Sequence, residues 1–452
     1  MKMLTDRLQI AFAWTLLLAA CVCLTASLRA ASPPAVLIAN ARVFDGTADQ
    51  LAEGMSVLVE SNIIARVSKA AIEPPRGAIV VDAGSRVLMP GLIDTHTHLA
   101  MASLPLPALT TADPGYVTMA AAAEAERMLM RGVTTIRDMG GPTFGLKRAI
   151  DEGLVRGPRI YPSGHVISQT AGHGDFRLPQ DQHPHFGMMG ELPHTRFGFA
   201  FLADGRPEVL AAVRETLRRG ATQIKVMAGG GINSPYDSID VMQYTEDELR
   251  AAVEAAEAWG TYVVVHAYSP EAIRHALSAG ALDISHANLI DEATMKLLAE
   301  KGAYLSAQVA VFTEAMPGLP APNQLKLAQV REGLDTLFAL AKKYQVKLTY
   351  GTDLLGGRAL SDKQTEDLVM RSKWFTPVEV LRQATSRAGE LVGRCGKRNP
   401  YPGKLGVVQE GALADLLLVN GNPLQDLSVL AKSEAGLALI MKGGIIFKNT
   451  VQ

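Results

Sequence analysis

The feature that most constrains the fold is an alternation of short apolar segments with helical patterns through the middle of the chain. Eight segments have the length and the β-branched content of buried strands. They are LIDTHTHL, TTIRDMG, RIYPSGHVI, QIKVMAGG, YVVVHAY, LDISHAN, AYLSAQVAV and KLTYGTD. Eight strand–helix units predict an α/β fold, a (β/α)8 TIM barrel over residues 91–396. An open doubly wound sheet is the alternative, but no glycine-rich phosphate loop follows the first strand.

The two ends of the chain have a different pattern from the middle. Residues 31–90 and 397–452 contain short apolar segments separated by turn residues such as Gly46 and Asn62. Helical patterns are less frequent in both segments. We therefore predict a small β-sandwich domain that is built from the N- and C-terminal segments together and flanks the barrel.

The N-terminus has the pattern of an export signal. Lys2 and Arg7 precede an apolar run that ends in small residues and Pro33. We predict a signal peptide over residues 1–30, no stable membrane insertion after its removal, and a periplasmic or secreted protein. A lipoprotein anchored at Cys21 is the alternative, because Leu18 to Cys21 read LAAC, which resembles a bacterial lipoprotein box.

Charge and cysteine content narrow the classes of function. The net charge is −1 with no long run of one sign, which disfavours a nucleic-acid-binding surface. Two of the three cysteines lie in the predicted signal, and Cys395 remains alone. The mature chain therefore has no internal disulfide and no cysteine-based zinc site, and a metal must be held by histidine or carboxylate ligands.

Polar side chains gather where the predicted strands end, which is where barrel enzymes place their active sites. His96 and His98 are two residues apart, so on a strand they face the same side. They suit a metal, although the pair alone is also compatible with the end of an edge strand. His266, His286 and Asp353 end the fifth, sixth and eighth strands, and this convergence favours a metal site.

Lys225, near the end of the fourth strand, is the unusual member of this group. Burial disfavours the charged ammonium and shifts a lysine towards the neutral amine. A neutral amine can react with carbon dioxide to form a carbamate, which is an anionic oxygen donor able to bridge two metals. The alternative is an ordinary lysine paired with a carboxylate.

This set of residues resembles that of the amidohydrolase superfamily. The superfamily's order of HxH, Lys, His, His and Asp is matched by His96, His98, Lys225, His266, His286 and Asp353. The segment GKLGVVQEGALADLLLV resembles the returning strand segment of the family's second domain. KVMAGGGINSP and SQTAGHGD resemble the branch that contains Xaa-Pro dipeptidases, prolidases and ochratoxinase.

The resemblance implies two divalent metal ions, with zinc as the favoured metal, bridged by N6-carboxylated Lys225. His96, His98 and Asp353 would hold one ion, and His266 and His286 the other. Asp353 would also be catalytic, as the group that moves the proton. The implied function is hydrolysis of Xaa-Pro-type dipeptides or N-acyl amino acids, ochratoxin A included. A cyclic-amide hydrolase similar to imidazolonepropionase is the alternative enzyme, and a metal-free binding protein on the same fold is the alternative of another class.

Substrate contacts are predicted at three residues. His173, after the third strand, would polarise the scissile carbonyl, and His165 competes with it for that role. Tyr244, after the fourth strand, would hydrogen-bond a substrate carboxylate. Each of the three could instead be a loop-packing residue. The expected partner is a small-molecule or dipeptide substrate, and assembly into a homo-oligomer is left open.

Overall fold

The computed structural model describes residues 34–109, 111–183, 197–234, 236–314 and 319–451. The predicted signal peptide, residues 1–30, lies outside this range, so its removal and the lipidation of Cys21 stay predictions. Among the described helices, none combines the length and the apolar composition that crossing a bilayer requires.

The two terminal segments form one sheet of eight strands that is separate from the barrel. The strands are β1 (Val36–Val43), β2 (Ala52–Glu60), β3 (Ile63–Ser68), β4 (Ile79–Asp82), β5 (Val87–Pro90), β16 (Leu416–Val419), β17 (Leu437–Lys442) and β18 (Ile445–Asn449). Their hydrogen-bonded order is β18-β17-β16-β5-β1-β2-β3, and β4 also pairs with β1. The prediction that both termini build a separate β-structure is confirmed, while its boundaries at residues 90 and 397 stay predictions.

This terminal sheet curls back on itself, so that β3 reaches the segment before β16. The Ile64 N–H donates to the Ala412 carbonyl oxygen at 2.8 Å, and so joins β3 to the segment that leads into β16. Ile64, Leu88 and Leu439 consequently share one buried apolar cluster, although they come from distant strands. The curled sheet thus encloses its own core, as a sandwich does.

The eight predicted barrel strands are all present, and they run parallel. They are β6 (Leu92–Thr97), β7 (Val133–Asp138), β8 with β9 (Arg159–Pro162 and Val166–Ser168), β11 (Ile224–Met227), β12 (Val263–Ala267), β13 (Asp283–His286), β14 (Tyr304–Ala307) and β15 (Lys347–Tyr350); a short β10 (Ala200–Leu202) pairs with β9. The barrel closes between β15 and β6, where the Asp353 N–H donates to the His96 carbonyl oxygen at 2.7 Å. The predicted (β/α)8 barrel is confirmed.

The third strand differs from the prediction because it is broken into β8 and β9. Gly164 lies in the break with a φ of +70°, a conformation that suits glycine and cannot continue a strand. β8 pairs with β7, whereas β9 pairs with β10 and β11. The Thr222 N–H donates to the Pro162 carbonyl oxygen at 2.9 Å and keeps the two halves of the barrel wall connected.

Helices surround the barrel and cover the junctions between strands. Their bounds are α1 (Leu99–Ala102), α2 (Leu106–Leu109), α3 (Pro114–Met130), α4 (Phe144–Asp151), α5 (Gly205–Arg218), α6 (Glu246–Ala258), α7 (Pro270–Ala279), α8 (Glu292–Glu300), α9 (Ala310–Thr313), α10 (Ala321–Glu332), α11 (Leu334–Lys343), α12 (Arg358–Ser361), α13 (Glu366–Met370), α14 (Pro377–Ala384), α15 (Ser386–Gly393), α16 (Ser428–Ala431) and α17 (Ser433–Gly436), with 3₁₀ turns at Arg371–Lys373 and Gly396–Arg398. Capping boxes are present at Thr245 with Glu248 and at Thr376 with Glu379. Each box satisfies free N–H groups of the first turn, which helps to fix where the helix begins.

Candidate active site

The six predicted metal ligands line one pocket at the carboxyl ends of the barrel strands. They are His96, His98, Lys225, His266, His286 and Asp353. Each is at most 9% exposed. The barrel thus gathers side chains that lie up to 257 positions apart in the sequence. They converge because the carboxyl ends of all the parallel strands lie on one face of the barrel.

Asp353 lies beside three of the four histidines. Its Oδ1 is 3.5 Å from His96 Nε2 and 3.4 Å from His98 Nε2, and its Oδ2 is 4.0 Å from His286 Nδ1. The His266 and His286 ring centroids are 4.5 Å apart. Donor atoms of His96, His286 and Asp353 lie within 4.8 Å of one another, which makes this group a candidate metal site.

The backbone at two of these residues adopts a conformation that is uncommon outside glycine. His286 has a φ of +78° and Asp353 a φ of +52°. Such left-handed residues cost free energy and are concentrated at functional sites, where the surrounding structure holds them. Gly351 contributes to this packing, because a Cβ there would lie 2.8 Å from the His96 Cβ. The close approach of β15 to β6 therefore requires glycine at this position.

Lys225 is buried in the pocket wall as an amine without a hydrogen-bond partner among the described residues. Burial lowers the pKa of Lys225 below its usual range, and the nearby Asp353 carboxylate opposes the shift. His96 Nε2 and Asp353 Oδ1 are likewise buried without a partner in the described part of the chain. Buried polar atoms are almost always satisfied, so three such atoms in one pocket fit a site that is completed by a bound group. Nitrogen and carboxylate donors of this kind suit a divalent metal.

The histidines are held in the form that binds metals. Burial lowers the pKa of His96, His266 and His286 well below the usual range, and it lowers the pKa of His98 to about 3. The rings are therefore neutral at physiological pH, and each has one lone pair available.

Backbone carbonyl groups fix the orientation of two of these rings. His98 Nδ1 lies 3.0 Å from the Gly140 oxygen, and His266 Nε2 lies 3.0 Å from the Gly230 oxygen. A carbonyl oxygen only accepts, so each of these ring nitrogens donates and the opposite nitrogen of the ring carries the lone pair.

Of the three predicted substrate contacts, only His173 lines the pocket. Its ring stacks on His266 with centroids 4.2 Å apart, and its Nδ1 is 2.7 Å from Ser234 Oγ. A Cβ at Gly231 would lie 1.8 Å from His173 Nδ1, so the glycine-rich loop after β11 packs directly against this ring. His173 therefore lies in the pocket wall, and its contact with substrate stays a prediction.

The structure places His165 and Tyr244 outside the pocket lining, and their roles as substrate contacts stay predictions. The His165 ring stacks on Phe201 at 3.9 Å, and Arg219 donates to its Nδ1 at 3.2 Å. The Tyr244 hydroxyl donates to the Ala203 carbonyl oxygen at 2.9 Å and is buried there. Neither residue lines the pocket: His165 lies in the break of the third strand, and Tyr244 lies in the turn before α6.

Most of the remaining pocket wall is apolar. The apolar lining comprises Met101, Val166, Phe176, Met227, Ile232, Val311, Phe312 and Leu355. Asn233 and Tyr268 add polar atoms. None of these lining residues is predicted from the sequence. Tyr268 follows His266 by two positions, so the two-residue period of a strand could have identified it, whereas the apolar residues have no distinguishing signal.

A buried polar network fills the barrel beneath the pocket. Arg137 is fully buried and donates to the Thr95 carbonyl oxygen, the Tyr262 hydroxyl and Ser306 Oγ. It also forms an ion pair with Asp283 at 2.5 Å. Because its hydrogen bonds are satisfied on several sides, the buried cation is tolerated, and its charge further disfavours a charged Lys225.

Comparison with known proteins identifies the family. Residues 87–446 match the model of the amidohydrolase family.

The chain belongs to the amidohydrolase family.

The amidohydrolase is 32% identical over 410 residues to ochratoxinase from Aspergillus niger, and the match covers 87% of this chain and 83% of that protein. It is also similar to the crystal structure of a prolidase complexed with N-methylphosphonate-L-proline, with a TM-score of 0.85, 34% identity, and coverage of 92% of this chain and 100% of that one. A Xaa-Pro dipeptidase structure with bound methionine matches with a TM-score of 0.77, 27% identity and the same coverage. The predicted resemblance is confirmed, and the protein is a hydrolase that acts on amide or peptide C–N bonds.

Proposed function

We propose that this amidohydrolase binds two divalent metal ions, with zinc as the favoured metal, and that N6-carboxylated Lys225 bridges them. We propose that it cleaves the amide bond of Xaa-Pro-type dipeptides or N-acyl amino acids. Ochratoxin A is among the candidate substrates, because the Aspergillus niger relative is named for that activity. The observation that carries the proposal is the convergence of four histidines, Lys225 and Asp353 in one buried pocket, where Lys225 Nζ and Asp353 Oδ1 have no hydrogen-bond partner among the described residues.

The donor set fits the two ions. His96, His98 and Asp353 would hold one, His266 and His286 the other, and carboxylated Lys225 would contribute to both. Bound there, the ions would supply Lewis acidity and lower the pKa of a water molecule. Lys225 is suited to carboxylation because a neutral amine is nucleophilic, and its burial keeps the amine neutral.

Asp353 is suited to moving the proton. Burial raises the pKa of Asp353 above its usual range, while Lys225 acts in the opposite direction. A carboxyl group that titrates closer to neutral pH can accept a proton from the attacking water and release it to the leaving amine. Oδ1 of this residue is free of hydrogen bonds to the described residues and faces the histidines, where such a transfer would take place.

His173 and the apolar wall would position the substrate. His173 Nδ1 is engaged with Ser234, so the Nε2 side of the ring is the one available for the scissile carbonyl. The apolar lining favours an acyl group or side chain with apolar surface, and such a substrate would exclude water as it binds. We also propose that the mature enzyme works in the periplasm or outside the cell, where it meets external peptides and amides.

Esterifying the substrate carboxylate should lower kcat/KM about 10- to 100-fold, because hydrogen bonds to a charged group contribute about 1.5–3 kcal/mol. The measurement compares Xaa-Pro dipeptides, N-acyl amino acids and ochratoxin A with their methyl esters, using zinc-loaded mature enzyme. A cyclic amide that lacks the carboxylate serves as the contrasting substrate. An enzyme that cleaves only cyclic amides, or that prefers the esters, would refute the dipeptidase proposal and favour a cyclic-amide hydrolase.

A further inference from the structure

Gln308 lies between two of the predicted ligands, at the end of β14. Its side chain is fully buried. The amide oxygen is 2.8 Å from His286 Nδ1, and the amide nitrogen is 3.2 Å from His96 Nδ1. One side chain therefore contacts a histidine from each half of the proposed two-metal site.

The amide itself is held in place. Its nitrogen also donates to the Ser306 carbonyl oxygen at 2.8 Å. The backbone that follows is fixed by Asp367, whose Oδ2 accepts from the N–H groups of Val309 at 3.0 Å and Ala310 at 2.7 Å. Rotation of the amide would break its contacts to Ser306 and to both histidines together, so its orientation is strongly determined.

The contact to His286 determines which nitrogen of that ring faces the pocket. An amide oxygen only accepts, so His286 Nδ1 donates to it and His286 Nε2 carries the lone pair. On the other side, the amide nitrogen faces His96 Nδ1 and restrains the plane of the His96 ring, but because it is a donor it does not direct the lone pair of that ring to Nε2. The two rings are 5.0 Å apart, centroid to centroid, and Gln308 keeps that relation constant.

We propose that Gln308 is a positioning residue of the metal site, which presents His286 Nε2 to the ion and restrains the neighbouring His96 ring. This inference rests on the proposed two-metal function. Groups that orient metal-binding histidines in this way typically contribute 10- to 100-fold to metal affinity. Gln308 acts through His96 and His286 and does not line the pocket itself.

The test measures zinc dissociation constants by competition with a chromophoric chelator, without substrate, for the metal-depleted mature protein. Gln308→Leu should weaken zinc binding about 10- to 100-fold. Gln308→Glu should stay within a few-fold of the parent, because its carboxylate still accepts from the ring N–H of His286. Gln223→Leu is the matched control, since Gln223 is an equally buried amide. It directly precedes the first residue of β11, at the strand end away from the pocket, and donates hydrogen bonds to the Tyr161 carbonyl oxygen and Ser163 Oγ. It should leave zinc affinity unchanged.

Parent-like zinc binding by Gln308→Leu would overturn the inference. Equal losses of zinc affinity in Gln308→Leu and Gln308→Glu would also overturn it, because they would indicate packing rather than hydrogen bonding. Losses in Gln223→Leu that match those in Gln308→Leu would also overturn it. Because no substrate is present, the result is separate from the proposed reaction. A parent that binds zinc but cleaves none of the proposed substrates would refute the function and leave the role of Gln308 intact.

Discussion

Lys225→Ala is expected to lose most of its bound metal and to lower kcat/KM on the order of 10³-fold or more, because groups that act as a unit fail together. Removing the side chain would take away the proposed bridging donor between the two groups of histidines. The fold should persist, since the parent buries an amine without a hydrogen-bond partner in the described structure and the variant buries only a methyl group. Elemental analysis, kinetics and a thermal melt of the same preparation measure the three effects.

Two further comparisons separate a carboxylated lysine from an ordinary one. Short-chain carboxylic acids added to Lys225→Ala should restore part of both metal binding and activity, since they return the missing oxygen donors. Lys225→Arg should stay inactive, because arginine remains charged and cannot form a carbamate. Full activity in Lys225→Arg would contradict the bridge.

Asp353→Asn is expected to fold normally and to lower kcat about 10²- to 10⁴-fold, the usual contribution of a general acid–base group. The amide has nearly the same shape but cannot take up and release the proton. A neutral group is tolerated here, because burial already raises the pKa of Asp353. Steady-state kinetics at several pH values, with metal content measured in parallel, separate lost proton transfer from lost metal.

Asp415→Asn is the matched control for that variant. Asp415 is a buried aspartate in the terminal sheet segment, and it accepts two hydrogen bonds from Arg159 at 3.1 Å. Its replacement should lower stability while leaving kcat near that of the parent. Turnover of Asp353→Asn at the level of this control would show that Asp353 does not carry the proton.

The positions of the predicted ligands could be derived from the sequence because a barrel places the carboxyl ends of all its strands on one face. His266 and His286 end consecutive strands, so their proximity follows from the order of the strands alone. The backbone conformation at the end of each strand could not be derived from the sequence. Nothing in the sequence indicates that His286 and Asp353 adopt left-handed backbone conformations, since those depend on contacts with neighbouring strands.

The direction of a loop side chain could not be predicted from the sequence. His165 and Tyr244 lie close in sequence to the relevant strands, but side-chain direction in a loop depends on local packing, with Phe201 in one case and Ala203 in the other. Gln308 was overlooked for a different reason. It ends a barrel strand as the histidines do, but an amide is not an expected metal ligand, so its position carried no chemical signal.

The ion pair between Arg137 and Asp283 inside the barrel could not be predicted from the sequence either. Arg137 and Asp283 lie on β7 and β13, in segments whose composition predicts buried strands, and an apolar interior would be the ordinary expectation. Their pairing depends on long-range barrel closure, which brings strands that are distant in sequence to opposite sides of one narrow interior.

The metal content of the mature protein tests the central claim most directly. Protein purified without chelators should contain close to two divalent ions per chain, mostly zinc, by elemental analysis. Chelation should abolish amide hydrolysis, and returning zinc should restore it. A clean preparation that lacks bound metal and still hydrolyses its substrate at full rate would contradict the two-metal account.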